Sequence, residues 1–237
     1  MKYLMLFDID GTILKMKPGV TLKLINQIIS ELTVQKHSIS ELPPLYGWTD
    51  IQIIKQFCLN FGYRYQNVEK HLETIWEKAY HIYKPYSTTE YIELLPGVRS
   101  LLTSLKDSRQ INLGLITGNF RRNAYLKLRA FDLDGLFSIG AFGNDHEDRN
   151  QLPQIAIERA NEEIGYQCYD NTNTLIIGDT SRDIESAQAN NIPIVCVSTG
   201  TESISSLAAM KPDAILSSFE DVNLTLDTFY SVLKNNK

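Results

Sequence analysis

Two aspartates at the end of an apolar segment constrain the fold of this chain more than any other feature. The apolar residues 3–7 (YLMLF) are followed at once by DIDGT at positions 8–12. Residues two apart in an extended chain share a face, so Asp8 and Asp10 begin on the same side of the backbone. A carboxylate near a core needs a cation or hydrogen-bond donors as a partner. A metal ion is the simplest partner for this pair.

Composition narrows the class of protein. The chain has 237 residues, 43% of them apolar, and a formal net charge of -5. This balance favours a globular protein that acts on a small soluble substrate, and it argues against a nucleic-acid partner. We expect a monomer or a homodimer. No signal peptide and no membrane-spanning run is present, which predicts a cytoplasmic protein with no membrane partner. The three cysteines fit a reducing compartment as structural residues: Cys58, Cys168 and Cys196.

Residues 15–92 read as a helical insert. Apolar residues recur there at helical spacing in three or four segments, and glycine is scarce. We predict a helical cap subdomain over 15–92 and a core built from 1–14 and 93–237, with the cap moving on linkers near 14–21 and 88–96. Asp50 is the predicted N-cap of the second cap helix.

After residue 96, helical segments alternate with short β-rich runs. This alternation predicts a doubly wound parallel sheet with crossover helices, an α/β fold to which residues 3–7 must also contribute a strand. The further predicted strands are 112–116, 138–142, 174–177, 194–197 and, more weakly, 214–216. The predicted helices between and after them begin near Val98, Ala124, Ile155, Ile184, Ile204 and Phe229.

Polar residues follow three of these strands. Ligands of open parallel sheets bind beyond the carboxyl ends of the strands, so these residues are candidate site residues. Thr117, Gly118 and Asn119 either cap a helix or bind an anion at its N-terminus through the hydroxyl and two backbone N–H groups. Asp179 and Asp183 either cap the next helix or face the same point as Asp8. Carboxylates suit Mg²⁺, and the anion suits phosphate.

These motifs resemble those of haloacid dehalogenase superfamily hydrolases, in the phosphoglycolate phosphatase-like branch that carries a helical cap between motifs one and two. The resemblance spans the whole chain. It implies that Asp8 is the nucleophile of an aspartyl-phosphate mechanism and that Asp10 is the general acid and base. It also implies a Mg²⁺ ion held by Asp8, the backbone carbonyl of Asp10 and Asp179, with Asp183 ordering the water ligands. Thr117 would clamp the phosphoryl oxygens.

The third motif departs from the family pattern, which has a lysine there. The loop GNDHEDRN at 143–150 contains no lysine, so Arg149 is the candidate cation for catalysis and phosphate binding. The acids of this loop and His146 could indicate a second metal, but a solvated loop is the better interpretation. We leave them out of the predicted site.

The resemblance predicts a Mg²⁺-dependent phosphatase that hydrolyses a small phosphate monoester, and it leaves alternatives open. A β-phosphoglucomutase-type phosphomutase keeps the same core residues. A catalytically silent binding protein would have lost some of them. In the cap, Trp48 either shapes the pocket or packs between helices. Lys55 and Arg64 are weak candidates for contacting a second anionic group.

Overall fold

A six-stranded parallel sheet forms the centre of the molecule. The computed structural model describes residues 2–33, 45–60 and 71–236. The strand order across the sheet is β5-β4-β1-β6-β7-β8. The strands are β1 (Tyr3–Phe7), β4 (Ile111–Thr117), β5 (Ile139–Phe142), β6 (Thr174–Gly178), β7 (Ile194–Val197) and β8 (Ala214–Leu216). The predicted doubly wound α/β fold is confirmed.

Strand β1 lies in the middle of the sheet, between β4 and β6. All five of its residues are buried, as expected for a strand covered on both faces. Phe7 is paired with Leu115 on one side and Ile177 on the other. Because neighbouring strands run parallel and in this register, the residues that follow β1, β4 and β6 emerge at one edge.

Helices cover both faces of the sheet. One apolar cluster packs around Phe7 and Phe229, and the other packs around Leu6 and Ile176 on the opposite face. The helices of this part are α4 (Val98–Lys106), α5 (Arg121–Arg129), α6 (Leu152–Ile164), α7 (Ser181–Ala189), α8 (Ile204–Ala209) and α9 (Val222–Asn235). They match the predicted segments, although several begin up to seven residues earlier.

The insert contains three helices in its described parts: α1 (Val20–Thr33), α2 (Asp50–Asn60) and α3 (Leu72–Tyr83). It joins the core through an antiparallel ribbon of β2 (Leu14–Met16) and β3 (Ile92–Leu94). Both strands lie in the segments predicted as linkers, and their pairing was not predicted because each strand has only three residues. The division into core and cap at 14/15 and 92/93 stays a prediction.

Helix α2 begins differently from the prediction. The prediction of Asp50 as its N-cap is wrong, because the cap is Thr49. The Thr49 hydroxyl oxygen accepts a hydrogen bond from the Gln52 N–H at 3.2 Å, and Gln52 Oε1 accepts from the Thr49 N–H at 3.3 Å. This reciprocal pair is a capping box. It leaves the Asp50 carboxylate free to act elsewhere.

Two smaller expectations can be compared with the structure. Cys168 and Cys196 are free thiols, and Cys196 is buried in β7, as expected of structural residues. The side chain of Cys58 lies outside the described part of the chain. Within residues 2–33, 45–60 and 71–236, no helix has the length and apolar character needed to cross a membrane.

Candidate active site

A cavity of about 460 Å³ lies between the carboxyl edge of the sheet and the insert. Its core wall contains Asp8 and Asp10 after β1, Thr117 at the end of β4, and Asp179 after β6. Arg149 completes this wall. The structure therefore brings together residues that the sequence separates by more than a hundred positions.

Three buried carboxylates form a cluster at the base of the cavity. Oxygen atoms of Asp8, Asp179 and Asp183 all lie within 4.8 Å of one another. Arg149 contacts two of them: one guanidinium nitrogen donates to Asp8 Oδ1 at 3.0 Å and to Asp183 Oδ1 at 2.5 Å. Three carboxylates facing one guanidinium leave an excess of negative charge.

Burial and neighbouring charges change the acidity of two of these groups, Asp8 and Asp179. Burial raises the pKa of the Asp8 carboxyl from 3.8 to about 7, although the charge of Arg149 opposes the shift. Burial, with the charge of Asp8, also raises the pKa of Asp179 well above its ordinary value. Additional positive charge beside Asp8 and Asp179 would favour their ionised forms. Oxygen ligands in this arrangement fit Mg²⁺.

Gly11 and Thr12 have a structural reason to follow Asp10. Gly11 has a φ of +92°, and a Cβ atom there would lie 2.1 Å from Asp179 Oδ2. Only glycine both adopts this backbone conformation readily and leaves room for that carboxylate. The buried Thr12 hydroxyl donates to Asp179 Oδ1 at 3.0 Å. The turn after β1 therefore orients Asp179 as well as Asp8.

Asp183 serves both roles that the sequence left open. Its Oδ2 accepts from the Thr180 N–H at 3.0 Å, and Thr180 in turn caps the start of α7. Its other oxygen accepts from Arg149. The capping box fixes the Asp183 carboxylate beside Asp8 and Asp179, so capping and site formation are one interaction network here.

Local hydrogen bonds, ion pairs and burial fix the position of Arg149. It begins a short 3₁₀ turn whose N-cap, Asp148, accepts from the Asn150 N–H at 3.0 Å. Burial disfavours the guanidinium charge, but Asp183 and Asp8 outweigh that effect and raise the pKa of Arg149 above its ordinary value. The side chain is only 4% exposed, and its Nε has no partner among the described residues. This N–H can therefore donate to a ligand.

The acidic residues beside Arg149 have structural partners. Asp145 forms a two-pronged ion pair with Arg159, at 2.6 and 2.9 Å, and Glu147 pairs with Lys55. Within the described ranges, none of these residues joins a group that could hold a metal. This supports leaving them and His146 out of the site. The pairing of Lys55 also argues against its suggested contact with a second anionic group, and Arg64 lies outside the described residues.

Asp10 is turned away from the carboxylate cluster, towards a lysine that the sequence analysis missed. Both of its oxygens accept from Lys127 Nζ, at 2.6 and 2.8 Å, and Asn119 Nδ2 donates to Oδ2 at 2.7 Å. Lys127 is 3% exposed and also donates to Asn119 Oδ1 at 2.7 Å. A sequence signal existed: Lys127 follows the buried Ala124 by three positions on an amphipathic helix, where a charge needs a buried partner.

Thr117 is positioned to donate its hydroxyl hydrogen. Its oxygen accepts from Asn119 Nδ2 at 2.7 Å and from the Asn119 N–H at 3.3 Å. Its own hydrogen reaches no acceptor in the described part of the structure. The Asn119 N–H already donates to the Thr117 oxygen. Its predicted hydrogen bond to phosphate is therefore less favourable than the one predicted from the Thr117 hydroxyl. The phosphate roles of Thr117, Gly118, Asn119 and Arg149 stay predictions.

The N-terminus of α5 is already occupied by an anion. The Phe120 N–H donates to Asp50 Oδ2 at 2.8 Å, and the Arg121 N–H donates to Asn144 Oδ1 at 2.8 Å. Asp50 and Asn144 therefore occupy the N–H groups of Phe120 and Arg121. The predicted anion donors are Thr117, Gly118 and Asn119, and their role stays a prediction. The Asp50 N–H also donates to the Gly118 carbonyl at 2.8 Å, which docks the insert onto the core.

The buried charge of Asp50 gives a prediction. Burial raises the pKa of this carboxyl to about 6, against the lowering effects of Lys127 and the Phe120 N–H. Because the carboxyl is less acidic when folded, its ionisation costs stability: the free energy of unfolding falls as pH rises from about 4 to about 6, then levels off. Asp50→Asn keeps an acceptor oxygen and removes the charge. Above about pH 7, the free energy of unfolding of Asp50→Asn is expected to exceed that of the wild type by up to about 3 kcal/mol.

Urea denaturation at both ends of that pH range measures the effect. The two proteins should converge near pH 4, and Asp227→Asn, an exposed change on α9, should follow the wild type throughout. Parallel pH curves for Asp50→Asn and wild type would contradict the account of this charge.

Trp48 lies against the cavity in the loop that precedes α2. Its backbone carbonyl approaches so closely that a Cβ atom on Gly118 would lie 2.3 Å from it. The Arg182 guanidinium stacks over the indole, 4.9 Å from the ring centroid. Trp48 therefore both lines the pocket and anchors the insert to the core, which combines the two roles that the sequence left open.

Comparison with known proteins identifies the family. The family model described as haloacid dehalogenase-like hydrolase matches residues 5–197. A phosphoglycolate phosphatase of Synechococcus elongatus is 30% identical over 132 residues, which are 55% of this chain and 58% of that protein. A phosphoglycolate phosphatase of Nitrosococcus oceani is 23% identical over 223 residues, which are 92% of this chain and 94% of that protein.

A solved structure agrees on the fold. A proposed β-phosphoglucomutase of Bacteroides vulgatus superposes with a TM-score of 0.70 at 19% identity, covering 98% of this chain and 90% of that one. The family model spans strands β4 to β7, most of β1, the insert and all three motif regions that carry Asp8, Thr117 and Asp179. The resemblance inferred from the motifs is confirmed, including the phosphoglycolate phosphatase-like branch. This chain belongs to the haloacid dehalogenase-like hydrolase family.

Proposed function

We propose that this protein is a Mg²⁺-dependent phosphatase that hydrolyses a small phosphorylated metabolite through an aspartyl-phosphate intermediate. The observation that carries the proposal is the opposite orientation of the two aspartates. Asp8 joins the carboxylate cluster with Arg149, whereas Asp10 is held by Lys127 and Asn119. Two like acids in different environments suit two different chemical roles.

In the first half-reaction the Asp8 carboxylate attacks phosphorus. An Asp8–phosphorus bond forms, the bond from phosphorus to the ester oxygen breaks, and protonated Asp10 gives its proton to the leaving alkoxide. Thr117 donates its hydroxyl hydrogen to a phosphoryl oxygen. The unpartnered Nε–H of Arg149 is a second donor, and its charge offsets that of the phosphoryl group.

In the second half-reaction Asp10 acts as a base. It takes a proton from water, whose oxygen attacks phosphorus and breaks the bond to Asp8, releasing inorganic phosphate. Lys127 and Asn119 keep the Asp10 carboxylate in place for both transfers. We propose that Asp8, Asp179 and the backbone carbonyl of Asp10 hold Mg²⁺, with Asp183 alongside. When bound, Mg²⁺ supplies positive charge that offsets the carboxylates and the phosphoryl oxygens.

Removal of divalent metal tests the proposal. With EDTA, release of inorganic phosphate from methyl phosphate is expected to fall to background, and Mg²⁺ in excess should restore it. Mg²⁺ alone should also raise the thermal midpoint of the wild type, because it relieves repulsion among three buried carboxylates. Asp179→Asn should lose most of that rise. Full activity in EDTA would contradict the proposed cofactor.

The phosphomutase alternative rests on the shared fold with the Bacteroides vulgatus protein. Release of phosphate without any sugar bisphosphate activator would count against it. Of the described cations that line the cavity, Lys127 and Arg149 are buried against carboxylates of this chain, and Lys15 forms an exposed pair with Glu93. The small phosphorylated substrate, a cytoplasmic location and a monomeric or dimeric state belong to the same proposal.

A further inference from the structure

We infer that the substrate is the phosphate monoester of an uncharged, hydroxylated alcohol with an apolar face, and that Asn123 hydrogen-bonds a hydroxyl of that alcohol. This rests on the proposed phosphatase function and concerns the substrate that the function leaves open. It differs from the carboxylate-bearing phosphoglycolate named for the two relatives.

Asn123 is an unsatisfied polar side chain in the wall of the cavity. It is 1% exposed and lines the cavity, yet neither its Nδ2 nor its Oδ1 has a hydrogen-bond partner among the described residues. A buried amide without partners costs stability, and such exceptions call for an explanation. A ligand that hydrogen-bonds this amide therefore breaks no hydrogen bond seen among the described residues.

The position of Asn123 relates it to the leaving group. It precedes Lys127 by four residues on α5, so the two side chains lie on the same face, one turn apart. Lys127 contacts Asp10, the proposed proton donor to the ester oxygen. An alcohol whose oxygen meets Asp10 therefore extends past Asn123, which offers both a donor and an acceptor.

The wall across from the core is apolar. It is formed by side chains of α1 and α2 and of the loop before α2, namely Ile25, Ile28, Leu45, Ile53, Ile54 and Phe57. The cavity volume is in the range that holds an organic ligand of many atoms, well beyond a phosphate ion. Apolar walls with a few polar groups favour an uncharged leaving group.

The charges around the cavity disfavour a second anion on the substrate. Three cations line it in the described part of the chain, and each faces a carboxylate: Lys15 faces Glu93, Lys127 faces Asp10, and Arg149 faces Asp8 and Asp183. Asp50 adds a further carboxyl to the lining. A glycolate carboxylate beside the apolar wall would lose its hydration, and both buried cations of the cavity are already held by carboxylates of this chain.

The test combines changes in the substrate with changes in Asn123. Phosphate release is measured for methyl phosphate, butyl phosphate, the monohydroxylated butyl phosphates and phosphoglycolate, with Mg²⁺ present. In the wild type, at least one hydroxybutyl phosphate should exceed both butyl phosphate and phosphoglycolate in kcat/KM by about tenfold. In Asn123→Leu the ratio of that hydroxybutyl phosphate to butyl phosphate should fall to about one, because the group that senses the hydroxyl is gone.

Two further variants sharpen the outcome. Arg129→Gln, at an exposed position two residues beyond Lys127, should keep the wild-type ratio. Ile53→Lys, at a half-buried position of the apolar wall, should raise the preference for phosphoglycolate over butyl phosphate, whereas Ile53→Leu should not. Asn123→Leu should unfold at no lower temperature than the wild type, since no hydrogen bond is lost.

The results separate this inference from the proposed function. Phosphate release from methyl phosphate by the wild type and not by Asp8→Asn supports the function whatever the leaving-group preference. A wild-type preference for phosphoglycolate, or a hydroxyl ratio unchanged in Asn123→Leu, would overturn the substrate inference alone. No release from any ester in the series would reject both.

Discussion

Replacing Asp8 with asparagine is expected to lower kcat by about four to six orders of magnitude, because the amide has no charge with which to attack phosphorus. Asp10→Asn is expected to lower it less, by about 10²- to 10⁴-fold, because attack by Asp8 survives and only proton transfer is lost. The difference reflects the two environments: Asp8 in the carboxylate cluster, Asp10 on Lys127.

Steady-state release of phosphate from methyl phosphate measures both effects. The matched control is Asp227→Asn, which makes the same chemical change at an exposed position on α9 and should keep wild-type activity. Equal losses for Asp8→Asn and Asp10→Asn would argue against separate roles. Wild-type turnover by either variant would remove that residue from the mechanism.

The second large effect concerns Arg149. Arg149→Met is expected to lower the free energy of unfolding by about 3–5 kcal/mol without metal, since it leaves buried carboxylates without their cation. Arg149 is 4% exposed, and its partners Asp8 and Asp183 are 6% and 0% exposed, so water replaces little of the lost contact. Activity should fall as well, because the Nε–H and the positive charge both disappear.

Arg149→Lys separates charge from shape. The family places a lysine in this motif, so the ammonium should recover much of the stability and part of the activity that methionine loses. Urea denaturation and phosphate release measure the two effects. Adding Mg²⁺ should stabilise Arg149→Met more than it stabilises the wild type, because the ion then faces more uncompensated charge. A methionine variant as stable as the wild type without metal would contradict the ion-pair network.

The sequence predicted the features that depend on local pattern. The strand segments and the residues after them follow from apolar runs ended by aspartate, glycine or threonine. The parallel order then brings Asp8, Thr117 and Asp179 to one edge. Arg149 was found because the loop before α6 offered no lysine. Its contacts with Asp8 and Asp183 needed the fold.

Other parts of the site depend on pairing between distant segments, which periodicity does not encode. The spacing of Lys127 from Ala124 places it on the buried face of its helix, but only the fold identifies Asp10 as its partner. Asp50 reads as a helix cap because aspartate is common there, but Thr49 takes that place and Asp50 reaches the Phe120 N–H of another helix. Strands β2 and β3 have three residues each, which is too few for an alternation of apolar and polar residues to be recognised in the sequence.

In the proposed mechanism Asp8 carries the phosphoryl group and Asp10 activates the water that removes it. Acid-quenching Asp10→Asn after brief incubation with methyl phosphate and Mg²⁺, followed by mass spectrometry of the peptides, tests this most directly. One added phosphoryl group is expected on the peptide that contains Asp8, and none in a variant that also carries Asp8→Asn. An unmodified Asp8 peptide during turnover, or a phosphoryl group on another residue, would contradict it.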